Sequence, residues 1–482
     1  MILYDLINHC DVKYCTAEPT LEISGVCTDS RLLKQGDAFI AIRGTKQDGH
    51  DFIPSAISSG ASLIVAEDGF EKEGIIGLCS SSALPLIIVS NTRRASAFMY
   101  SNFNDSPASK LRLIAVTGTN GKTTTTYMLR AIFAAASINT AIIGTTTSAL
   151  TTPDPEQLYP RLRELHASGV QYVMMEASSH ALALDKLAPI IFEAGIFTNL
   201  TPEHLDFHVT MENYYQSKAK LFERCRLGLF NHDDEYGVRM YQSALCDKMY
   251  FGRRDDGEYL DFTTVNAINR GVNGIEYSLL SRDLLCRVSS PKTGDFNISN
   301  SLGAACCAIA LGIPPKAVRD GLRTMRGVPG RMERVYSRRD DIAVFIDFAH
   351  TPDALENLLR SVRKIMNPNQ RLTVLFGCGG DRDRTKRSVM GSIASRLADF
   401  VIVTSDNSRS EKPGDIIAQI LRGIDRERPH KVIENRRDAI EWAVRSAQSG
   451  DVIILAGKGH EKYEITADGI HPFNEAEIVA KA

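Results

Sequence analysis

Residues 111–128 read LRLIAVTGTNGKTTTTYM, and this stretch decides the fold of the middle of the chain. An apolar run typical of a parallel-sheet strand ends at Gly118 and Gly121, and a helical pattern begins at Lys122. The glycines let the backbone curl so that several N–H groups converge on one anion, and the helix start adds positive charge. The stretch is therefore a variant phosphate-binding loop, G-x-x-G-K-T, with Val116 where the full motif has a further glycine.

This loop predicts a nucleotide site. The Lys122 ammonium is suited to the outer phosphates, and the Thr123 hydroxyl is suited to Mg²⁺. The alternative is a glycine turn with a surface lysine, but the flanking strand and helix favour the phosphate site. The residues expected to bind ATP are Gly118, Thr119, Asn120, Gly121, Lys122, Thr123 and Thr124.

Strand and helix patterns alternate on both sides of the loop. A polar stretch, SNFNDSPASK at 101–110, and the glycine-proline turn of GVPGRMERV at 327–335 divide the chain into three parts. Alternation of this kind predicts mostly parallel sheets covered by helices. We predict an α/β fold of three domains: a small α/β module at 1–105, a central P-loop parallel-sheet ATPase domain at 106–328, and a Rossmann-like α/β domain at 329–482.

Composition excludes several classes of protein. The 482 residues are 43% apolar and carry a net charge of −2 without a long block of one sign, which argues against nucleic-acid binding. The ten cysteines lack a C-x-x-C pair, so we expect reduced and mostly buried thiols. Without a leader pattern or a long apolar run, the sequence predicts a cytoplasmic protein with no membrane insertion.

Acids, imidazoles and lysines follow the central strand patterns. Glu176 in MMEASSHAL is a natural Mg²⁺ ligand, and His204 in TNLTPEHLDFH is a less usual one. A second cation would need more negative charge than these two supply. Lys218 and Lys220 in YYQSKAKLF, taken from the residues alone, are interpreted as solvated side chains.

Further polar residues lie near the predicted hinge. Asn297 and Asn300 in GDFNISN could read a purine with their amides, although Asn300 could equally cap a helix. Arg331, Asp347 and His350 lie where a third domain could close over a nucleotide. The alternatives are a surface charge for Arg331 and a helix cap for Asp347.

Seven segments, in this order, resemble the Mur ligases, the ATP-dependent enzymes that build the peptide stem of bacterial peptidoglycan. They are GTNGKTT, EASSHAL, TNLTPEHLDFH, YYQSKAKLF, FNISN, GVPGRMERV and DFAHTPDAL, and they extend over most of the chain. CTDSR, DGHDF, LTTPD, GCGGDRDRTKR and AGKGHE resemble the members that add the third stem residue. The resemblance implies residues 1–105 as a UDP-muramoyl-binding domain and residues 329–482 as an amino-acid-binding domain.

The resemblance also implies roles for individual residues. Lys122, Lys218 and His204 would be catalytic, with Thr123, Glu176, His204 and Lys218 as Mg²⁺ ligands and Lys218 carried as a carbamate. That carbamate would supply the negative charge that a second cation needs. His204 or His208 would accept the proton of the incoming amine. The adenine and the remaining nucleotide site would be bound by Asn297, Asn300, Arg331, Asp347 and His350. The uridine end would contact Ser30, and the muramoyl-dipeptide would contact Thr151, Thr152, Ser178 and Lys186, where Lys186 stands in place of the family's frequent arginine.

The stretch VIVTSDNSRS at 401–410 bears on the amino acid that is added. A buried strand pattern ends in Asp406, Asn407, Ser408 and Arg409, and such a strand delivers polar groups to a site at its carboxyl end. Diaminopimelate-adding relatives have Asp-Asn-Pro-Arg here. A guanidinium pairs bidentately with the second carboxylate that distinguishes meso-diaminopimelate from lysine, so Arg409 should select diaminopimelate. The alternative is a strand end capped by Asp406 with Arg409 in solvent.

By the same resemblance, Arg382, Gly457 and Glu461 complete this pocket, and Glu461 meets the distal ammonium. The implied function is ATP-dependent addition of meso-2,6-diaminopimelate to UDP-N-acetylmuramoyl-L-alanyl-D-glutamate by a monomer. The alternatives are the same reaction with L-lysine or another diamino acid, and a nucleotide-regulated binding protein.

Overall fold

The computed structural model describes residues 1–44, 47–69, 72–148, 150–253, 260–269, 274–282, 284–292, 294–325 and 327–482. They form two compact units, Met1–Thr263 with Leu302–Ala317, and Thr264–Ser301 with Val318–Ala482. Each unit combines largely parallel sheets with helices, so the predicted α/β class is confirmed.

The first unit begins with a small sheet and the helices that cover it. The elements are α1 (Leu3–Leu6), β1 (Val12–Cys15), β2 (Gly25–Cys27), β3 (Asp37–Ile40), a 3-10 helix (Gly49–Phe52), α2 (Ile53–Ser58), β4 (Leu63–Glu67), α3 (Lys72–Ser81), β5 (Leu86–Val89) and α4 (Thr92–Phe103). The strand order is β1-β5-β4-β3-β2, with β1 antiparallel to β5 and the other neighbours parallel.

Both faces of this sheet are buried. Ile64 packs with Phe39 on one face, whereas the next residue, Val65, packs with Ile40 on the other. A strand that is covered on both faces is apolar at every position, which explains why its run was recognisable in the sequence.

The second sheet of the first unit carries the glycine loop. Its elements are a 3-10 helix (Pro107–Lys110), β6 (Arg112–Thr117), α5 (Lys122–Ala135), β7 (Thr140–Ile143), α6 (Pro155–Ala167), β8 (Tyr172–Glu176), α7 (Ser179–Ala183), β9 (Phe192–Phe197), α8 (Leu205–His208), α9 (Met211–Ala219), a 3-10 helix (Phe222–Arg224), β10 (Cys225–Asn231), α10 (Glu235–Ser243) and β11 (Asp247–Gly252). The order β11-β10-β9-β6-β8-β7 is parallel throughout. Three elements run across the division between the units: β12 (Phe262–Asn269), α11 (Phe296–Ala310) and α12 (Pro315–Thr324).

The register of this sheet positions the functional residues. Val116 of β6 pairs with Glu176 of β8, and Thr117 pairs with Phe197 of β9. The carboxyl ends of the three neighbouring strands therefore lie level, and the loops that follow them meet at one edge.

The second unit contains a hairpin, a larger sheet and a second hairpin. Its elements are β13 (Ile275–Ser281), β14 (Leu284–Ser290), β15 (Glu333–Val335), β16 (Ala343–Asp347), α13 (Pro352–Ile365), β17 (Leu372–Phe376), α14 (Thr385–Leu397), β18 (Phe400–Val403), α15 (Pro413–Leu421), β19 (His430–Val432), α16 (Arg436–Ser446), β20 (Val452–Ala456), β21 (Tyr463–Thr466), β22 (Gly469–Pro472) and α17 (Glu475–Lys481). The larger sheet has the order β15-β16-β20-β17-β18-β19, parallel except for β15.

Apolar clusters cover both faces of this larger sheet. Val374 and Ile454 pack on the face that α13 and α14 cover, and Leu375 and Leu455 pack on the other face. The three main sheets correspond to the three α/β regions expected from the sequence, and their boundaries at 105/106 and 328/329 stay predictions.

Two expectations about the whole chain can be compared with the structure. None of the ten cysteines, which all lie in described residues, forms a disulfide, and most of them are buried. Among the helices of the described residues, none combines the length and the apolar content needed to cross a membrane.

Candidate functional site

The glycine loop joins β6 to α5 in a conformation that only glycine adopts readily. Gly118 has a φ of 147°, and a Cβ there would overlap the Thr198 hydroxyl. Gly121 has a φ of 89° and is the N-cap of α5, so Lys122 opens the helix as predicted. Thr124 lies in the first turn of the same helix.

The segment after β9 fixes the shape of this loop. The Thr119 amide donates to Asn199 O at 2.8 Å, and the Asn120 amide donates to Asn199 Oδ1 at 2.9 Å. The Thr119 hydroxyl in turn accepts from the Thr201 amide at 3.0 Å. The loop is therefore held by hydrogen bonds to the backbone and to the Asn199 side chain of the segment that follows a neighbouring strand.

Two lysines converge on one carbonyl of the loop. Lys122 Nζ donates to Gly118 O and to Thr119 O, both at 2.8 Å. Lys218 Nζ, from α9, also donates to Gly118 O at 2.8 Å. The Lys122 ammonium places positive charge on the loop that the motif assigns to phosphate, and the Lys218 amino group lies beside it.

Lys218 is enclosed by the protein, with only 1% of its surface exposed. Its Nζ lies 4.6 Å from the centre of the Tyr214 ring. Burial, together with the neighbouring Lys122 charge, lowers the pKa of Lys218 well below its ordinary value. The interpretation of Lys218 as a solvated side chain is therefore wrong. Lys220, which pairs with Asp185 at 3.4 Å, is the partly exposed lysine of this helix end.

Glu176 lies at the end of β8 and reaches the glycine loop. Thr123 Oγ1 donates to Glu176 Oε2 at 2.9 Å, and the Thr145 amide donates to Glu176 Oε1 at 3.0 Å. The carboxylate is almost fully buried, and a Cβ at Gly144 would overlap it. A hydroxyl and a carboxylate side by side next to a phosphate loop are hard oxygen groups that suit Mg²⁺.

His204 belongs to a group of rings beside the loop. Its ring lies 4.9 Å from His180 and 6.2 Å from Tyr214, whose hydroxyl is 3.2 Å from Thr119 Oγ1. The sequence placed His204 in one ligand set with Thr123 and Glu176, but the hydrogen bonds within the described residues join only the latter two. Within that same part of the chain, no group of three His, Cys, Asp or Glu side chains is arranged to hold a metal ion. Mg²⁺ usually takes only one or two protein carboxylates, with substrate phosphates and waters as its other ligands.

His208 is buried with both ring nitrogens engaged. Its Nε2 is 2.9 Å from Ser179 Oγ, and its Nδ1 is 3.3 Å from Ser217 Oγ. The ring stacks on Tyr214 with the centres 4.8 Å apart. These contacts make His208 a packing residue beside Lys218 and not an accessible base.

The residues expected to contact the muramoyl-dipeptide fall into two groups. Thr152 Oγ1 donates to Glu176 O at 2.7 Å and lies 3.1 Å from Ser178 Oγ, so these residues are bound to the end of β8. Thr151 Oγ1 lies 3.1 Å from Thr145 Oγ1, which places it next to the same carboxylate.

Lys186 and Ser30 are placed by other contacts. Lys186 Nζ forms an ion pair with Asp154 Oδ1 at 2.6 Å. Ser30 lies half-buried in the turn after β2, between Asp29 and Arg31, whose side chains pair at 2.6 Å.

The residues expected to bind the adenine, Asn297 and Asn300, contact each other. Asn300 Nδ2 donates to Asn297 Oδ1 at 3.1 Å, and both side chains are buried. Because α11 begins at Phe296, Asn300 lies in its second turn, and the helix-cap alternative is wrong.

Asp347 holds the backbone of the segment that the sequence predicts as a hinge. Its carboxylate accepts from the Met332 amide at 2.8 Å and from the Ala349 amide at 2.9 Å. Desolvation raises the pKa of Asp347 above its ordinary value, although the charge of Arg331 opposes this rise. The cap of α13 is Thr351, so the cap alternative for Asp347 is wrong.

Arg331 and His350 both lie against Phe348. The Arg331 guanidinium is 5.1 Å from the centre of the Phe348 ring, and His350 Nδ1 is 2.9 Å from Phe348 O. The two side chains expected at the nucleotide site therefore share one aromatic neighbour at the end of β16.

The predicted amino-acid pocket lies at the carboxyl ends of β18 and β20. Asp406 is buried. Desolvation raises the pKa of its carboxyl group, but the charges of Arg436 and Lys458 lower that pKa by more, so it lies below its ordinary value. Gly457 has a φ of 114°, and a Cβ there would lie 2.7 Å from Asp406 Oδ2. Only glycine lets this loop approach the carboxylate so closely.

Asn407 and Glu461 meet inside the pocket. Asn407 Nδ2 donates to Glu461 Oε2 at 2.8 Å, and burial raises the pKa of Glu461. Arg409 is half-buried, with a φ of 51°, and its Nη1 donates to Gly380 O at 2.9 Å. The alternative that places Arg409 in solvent is therefore wrong. Ser408, between Asn407 and Arg409 in the sequence, is buried. Arg382 is exposed, and its Nη1 lies 3.1 Å from Asp381 O.

Comparison with protein-family models decides the family. The Mur ligase family, catalytic domain, matches residues 22–98, the Mur ligase middle domain matches residues 116–308, and the Mur ligase, glutamate ligase domain, matches residues 330–459. The chain belongs to the Mur ligase family.

Relatives of this Mur ligase match it over nearly its full length. It is 40% identical to UDP-N-acetylmuramoyl-L-alanyl-D-glutamate--2,6-diaminopimelate ligase 1 of Clostridium acetobutylicum, over 98% of this chain and 97% of that one. It is 41% identical to the UDP-N-acetylmuramoyl-L-alanyl-D-glutamate--2,6-diaminopimelate ligase of Caldanaerobacter subterraneus, over 99% of this chain and 98% of that one. A solved structure of a UDP-N-acetylmuramoyl-L-alanyl-D-glutamate--2,6-diaminopimelate ligase has a TM-score of 0.69 and 29% identity, covering 99% of this chain and 98% of that chain.

The structure of this Mur ligase also contains buried charges that sequence reasoning missed. Arg436 Nε donates to Glu475 Oε1 at 2.8 Å, and Arg387 pairs with Glu411 at 2.8 Å. Lys458, in the segment AGKGHE, has no exposed surface and contacts the predicted pocket. The available signal was weak, since a lysine between two glycines is usually taken for a surface residue.

Proposed function

We propose that this Mur ligase is an ATP-dependent amide ligase that joins meso-2,6-diaminopimelate to the D-glutamate γ-carboxylate of UDP-N-acetylmuramoyl-L-alanyl-D-glutamate. The observation that carries the proposal is that Glu461 and Arg409 both contact Asn407, Glu461 at its side-chain amide and Arg409 at its carbonyl oxygen. A guanidinium and a carboxylate that share one neighbour are complementary to a carboxylate and an ammonium on one carbon atom. Relatives at about 40% identity carry the name of that reaction.

The glycine loop is the proposed site for the ATP phosphates. Its amides and the Lys122 ammonium would face the outer phosphates. The paired Thr123 hydroxyl and Glu176 carboxylate, 2.9 Å apart, fit Mg²⁺ as hard oxygen ligands. When bound, the cation would neutralise phosphate charge during transfer.

Lys218 is proposed to act as a carbamate. Its burial and lowered pKa favour the neutral amine, which is the form that reacts with CO₂. The neutral nitrogen forms a bond to the carbon of CO₂ and one proton is released, so an uncharged amine becomes an anion next to the loop. With His204, this group would complete the oxygen and nitrogen donors available to a second Mg²⁺.

The chemistry proceeds in two transfers. The γ-carboxylate of D-glutamate attacks the γ-phosphorus of ATP, and ADP leaves, giving an acyl phosphate. The unprotonated amine of diaminopimelate then attacks the acyl carbon, and the tetrahedral oxyanion collapses with release of phosphate. Lys122 stabilises the transferring phosphoryl group by its fixed positive charge, and the attacking amine loses its proton to a base, for which His204 is the candidate.

The remaining site residues have proposed roles in binding. Asn297 and Asn300 would contact the adenine, and Arg331, Asp347 and His350 would complete the nucleotide site. Ser30 would contact the uridine end, and Thr151, Thr152, Ser178 and Lys186 would contact the muramoyl-dipeptide. A cytoplasmic location and a monomeric state remain predictions.

The test measures phosphate release by the purified protein with ATP, Mg²⁺ and UDP-N-acetylmuramoyl-L-alanyl-D-glutamate. Either meso-diaminopimelate or L-lysine is added, and the product is weighed by mass spectrometry. Turnover with diaminopimelate and not with lysine is expected. Equal turnover with lysine would overturn the selectivity, and no amino-acid-dependent turnover with either would overturn the ligase.

A further inference from the structure

Lys458 is a charged side chain with no exposed surface. It follows β20 and is flanked by Gly457 and Gly459, whose φ angles are 114° and 56°. The two left-handed glycines turn the chain around the lysine, and a Cβ at Gly459 would lie 2.6 Å from Phe348 Cβ. The loop therefore packs tightly and encloses the lysine, although a lysine is almost never fully buried unless it is paired.

The partners of Lys458 belong to the amino-acid pocket. Its Nζ donates to Asn407 Oδ1 at 2.8 Å and to Tyr463 O at 3.1 Å, and it lies 3.5 Å from Asp406 Oδ1. The ammonium thus has a carboxylate and two oxygen acceptors, which compensate for the loss of water.

These contacts fix which end of the Asn407 amide faces which neighbour. Asn407 Oδ1 accepts from the Lys458 ammonium and from the Ile465 amide at 2.9 Å, and both groups can only donate. A flipped amide would turn its NH₂ group toward two donors. Asn407 Nδ2 must therefore point the other way, where it donates to Glu461 Oε2 at 2.8 Å.

We infer that Lys458 is a positioning residue for recognition of the distal ammonium of the diamino acid: it fixes the Asn407 amide, which in turn holds the Glu461 carboxylate. The inference rests on the proposed function. Lys458 itself is enclosed behind Asn407 and does not touch the substrate. Glu461 can accept the distal ammonium with its carboxylate already oriented by a hydrogen bond, so less ordering is required when the substrate binds.

The competing role for Lys458 is structural, since its charge also neutralises the buried Asp406. Arg436 supplies positive charge to the same carboxylate and remains when Lys458 is replaced. Two substrates separate the roles: meso-diaminopimelate, and 2-aminopimelate, which keeps the distal carboxylate but lacks the distal ammonium. Lost stability lowers turnover of both substrates equally, whereas loss of Glu461 positioning lowers only turnover of the diamino acid.

The experiment compares the full-length protein with Lys458→Met and Lys458→Gln. In Lys458→Met we expect the ratio of kcat/KM for diaminopimelate over 2-aminopimelate to fall about tenfold, the scale of one charge-assisted hydrogen bond, with the KM for ATP unchanged. Lys458→Gln keeps an N–H donor for Asn407 Oδ1 and should retain more of the ratio than Lys458→Met.

Three results would overturn the inference. A Lys458→Met protein that keeps the wild-type ratio refutes it while leaving the proposed function intact. If Lys458→Met does not fold, the folded Lys458→Gln protein is measured instead. In that protein, a KM for ATP that rises as much as the KM for diaminopimelate would indicate a structural role alone. No turnover by the unmodified protein would overturn the proposed function and this inference together.

Discussion

Replacing Arg409 by methionine should remove the preference for diaminopimelate over lysine. Arg409 Nη1 is occupied by Gly380 O at 2.9 Å and by Asn407 O at 3.3 Å. Within the described residues, its Nε and Nη2 groups form no hydrogen bond, so this edge is the one that can meet a carboxylate as a fork. Methionine keeps an unbranched side chain without the guanidinium, and as another non-glycine residue it tolerates the φ of 51° no better than arginine does.

The magnitude follows from the number and kind of bonds lost. A hydrogen bond to a charged group contributes about 1.5–3 kcal/mol, which corresponds to roughly 10- to 140-fold in kcat/KM for diaminopimelate. L-Lysine has no distal carboxylate, so its kcat/KM should change little. Arg409→Lys keeps the charge but loses the forked geometry, so its kcat/KM for diaminopimelate should lie between those of the wild type and Arg409→Met.

The assay is steady-state phosphate release with each amino acid, and Arg384→Met is the matched control. Arg384 lies in the same region of the second unit, but its side chain is 67% exposed and pairs with Glu411 at 3.3 Å. Its replacement should leave the ratio of diaminopimelate to lysine unchanged. A folded Arg409→Met protein with the wild-type ratio would refute the assignment of Arg409 to the distal carboxylate.

Three further predictions concern the loop and the buried charges. Lys218→Ala should lower turnover about 10²- to 10³-fold, the scale for removing one group that stabilises a transition state, and added acetate should restore part of it; full activity without acetate would contradict the carbamate. Gly118→Ala should destabilise the protein by about 1–3 kcal/mol, because the new Cβ meets the Thr198 hydroxyl at a φ of 147°, and an unchanged melting temperature in calorimetry would refute the overlap. Arg387 lowers the pKa of Glu411 from 4.5 to about 2, so the stability from this pair is complete above pH 4.5 and is lost as the pH falls toward 2. In urea unfolding, Glu411→Gln should therefore have a lower free energy of unfolding than the wild type at pH 7, and this difference should disappear near pH 2. A difference that is constant with pH would contradict the ion pair.

Features that depend on local sequence were predictable. The glycine loop requires positive φ angles at two positions and a helix start directly after them, and both requirements are legible in TGTNGKTT. The buried strands were recognisable because strands covered on both faces are apolar at successive positions. The abrupt end of the strand pattern before Asp406 indicated polar groups at the carboxyl end of a strand, whereas the role of Arg409 follows from the resemblance and stays a prediction.

Features that depend on distant neighbours were not predictable from the residues alone. The partner of Lys218 is the carbonyl of Gly118, 100 residues earlier, so nothing in YYQSKAKLF distinguishes the buried lysine from Lys220. Lys458 contacts Asn407 across 51 residues, and its burial is a result of two loops packing together. Asn300 was open to interpretation as a helix cap because the first turn of α11, Phe296 to Ser299, carries polar residues that also suit a helix start.

The most direct test of the proposed ligase follows oxygen atoms. UDP-N-acetylmuramoyl-L-alanyl-D-glutamate labelled with ¹⁸O in the γ-carboxylate is incubated with the protein, ATP, Mg²⁺ and diaminopimelate, and the released phosphate is analysed by mass spectrometry. We expect one ¹⁸O atom in each phosphate, because the carboxylate oxygen that attacks ATP leaves with the phosphoryl group when the amine attacks. Amide product accompanied by unlabelled phosphate would contradict the acyl phosphate, and phosphate release that does not depend on the amino acid would contradict the ligase itself.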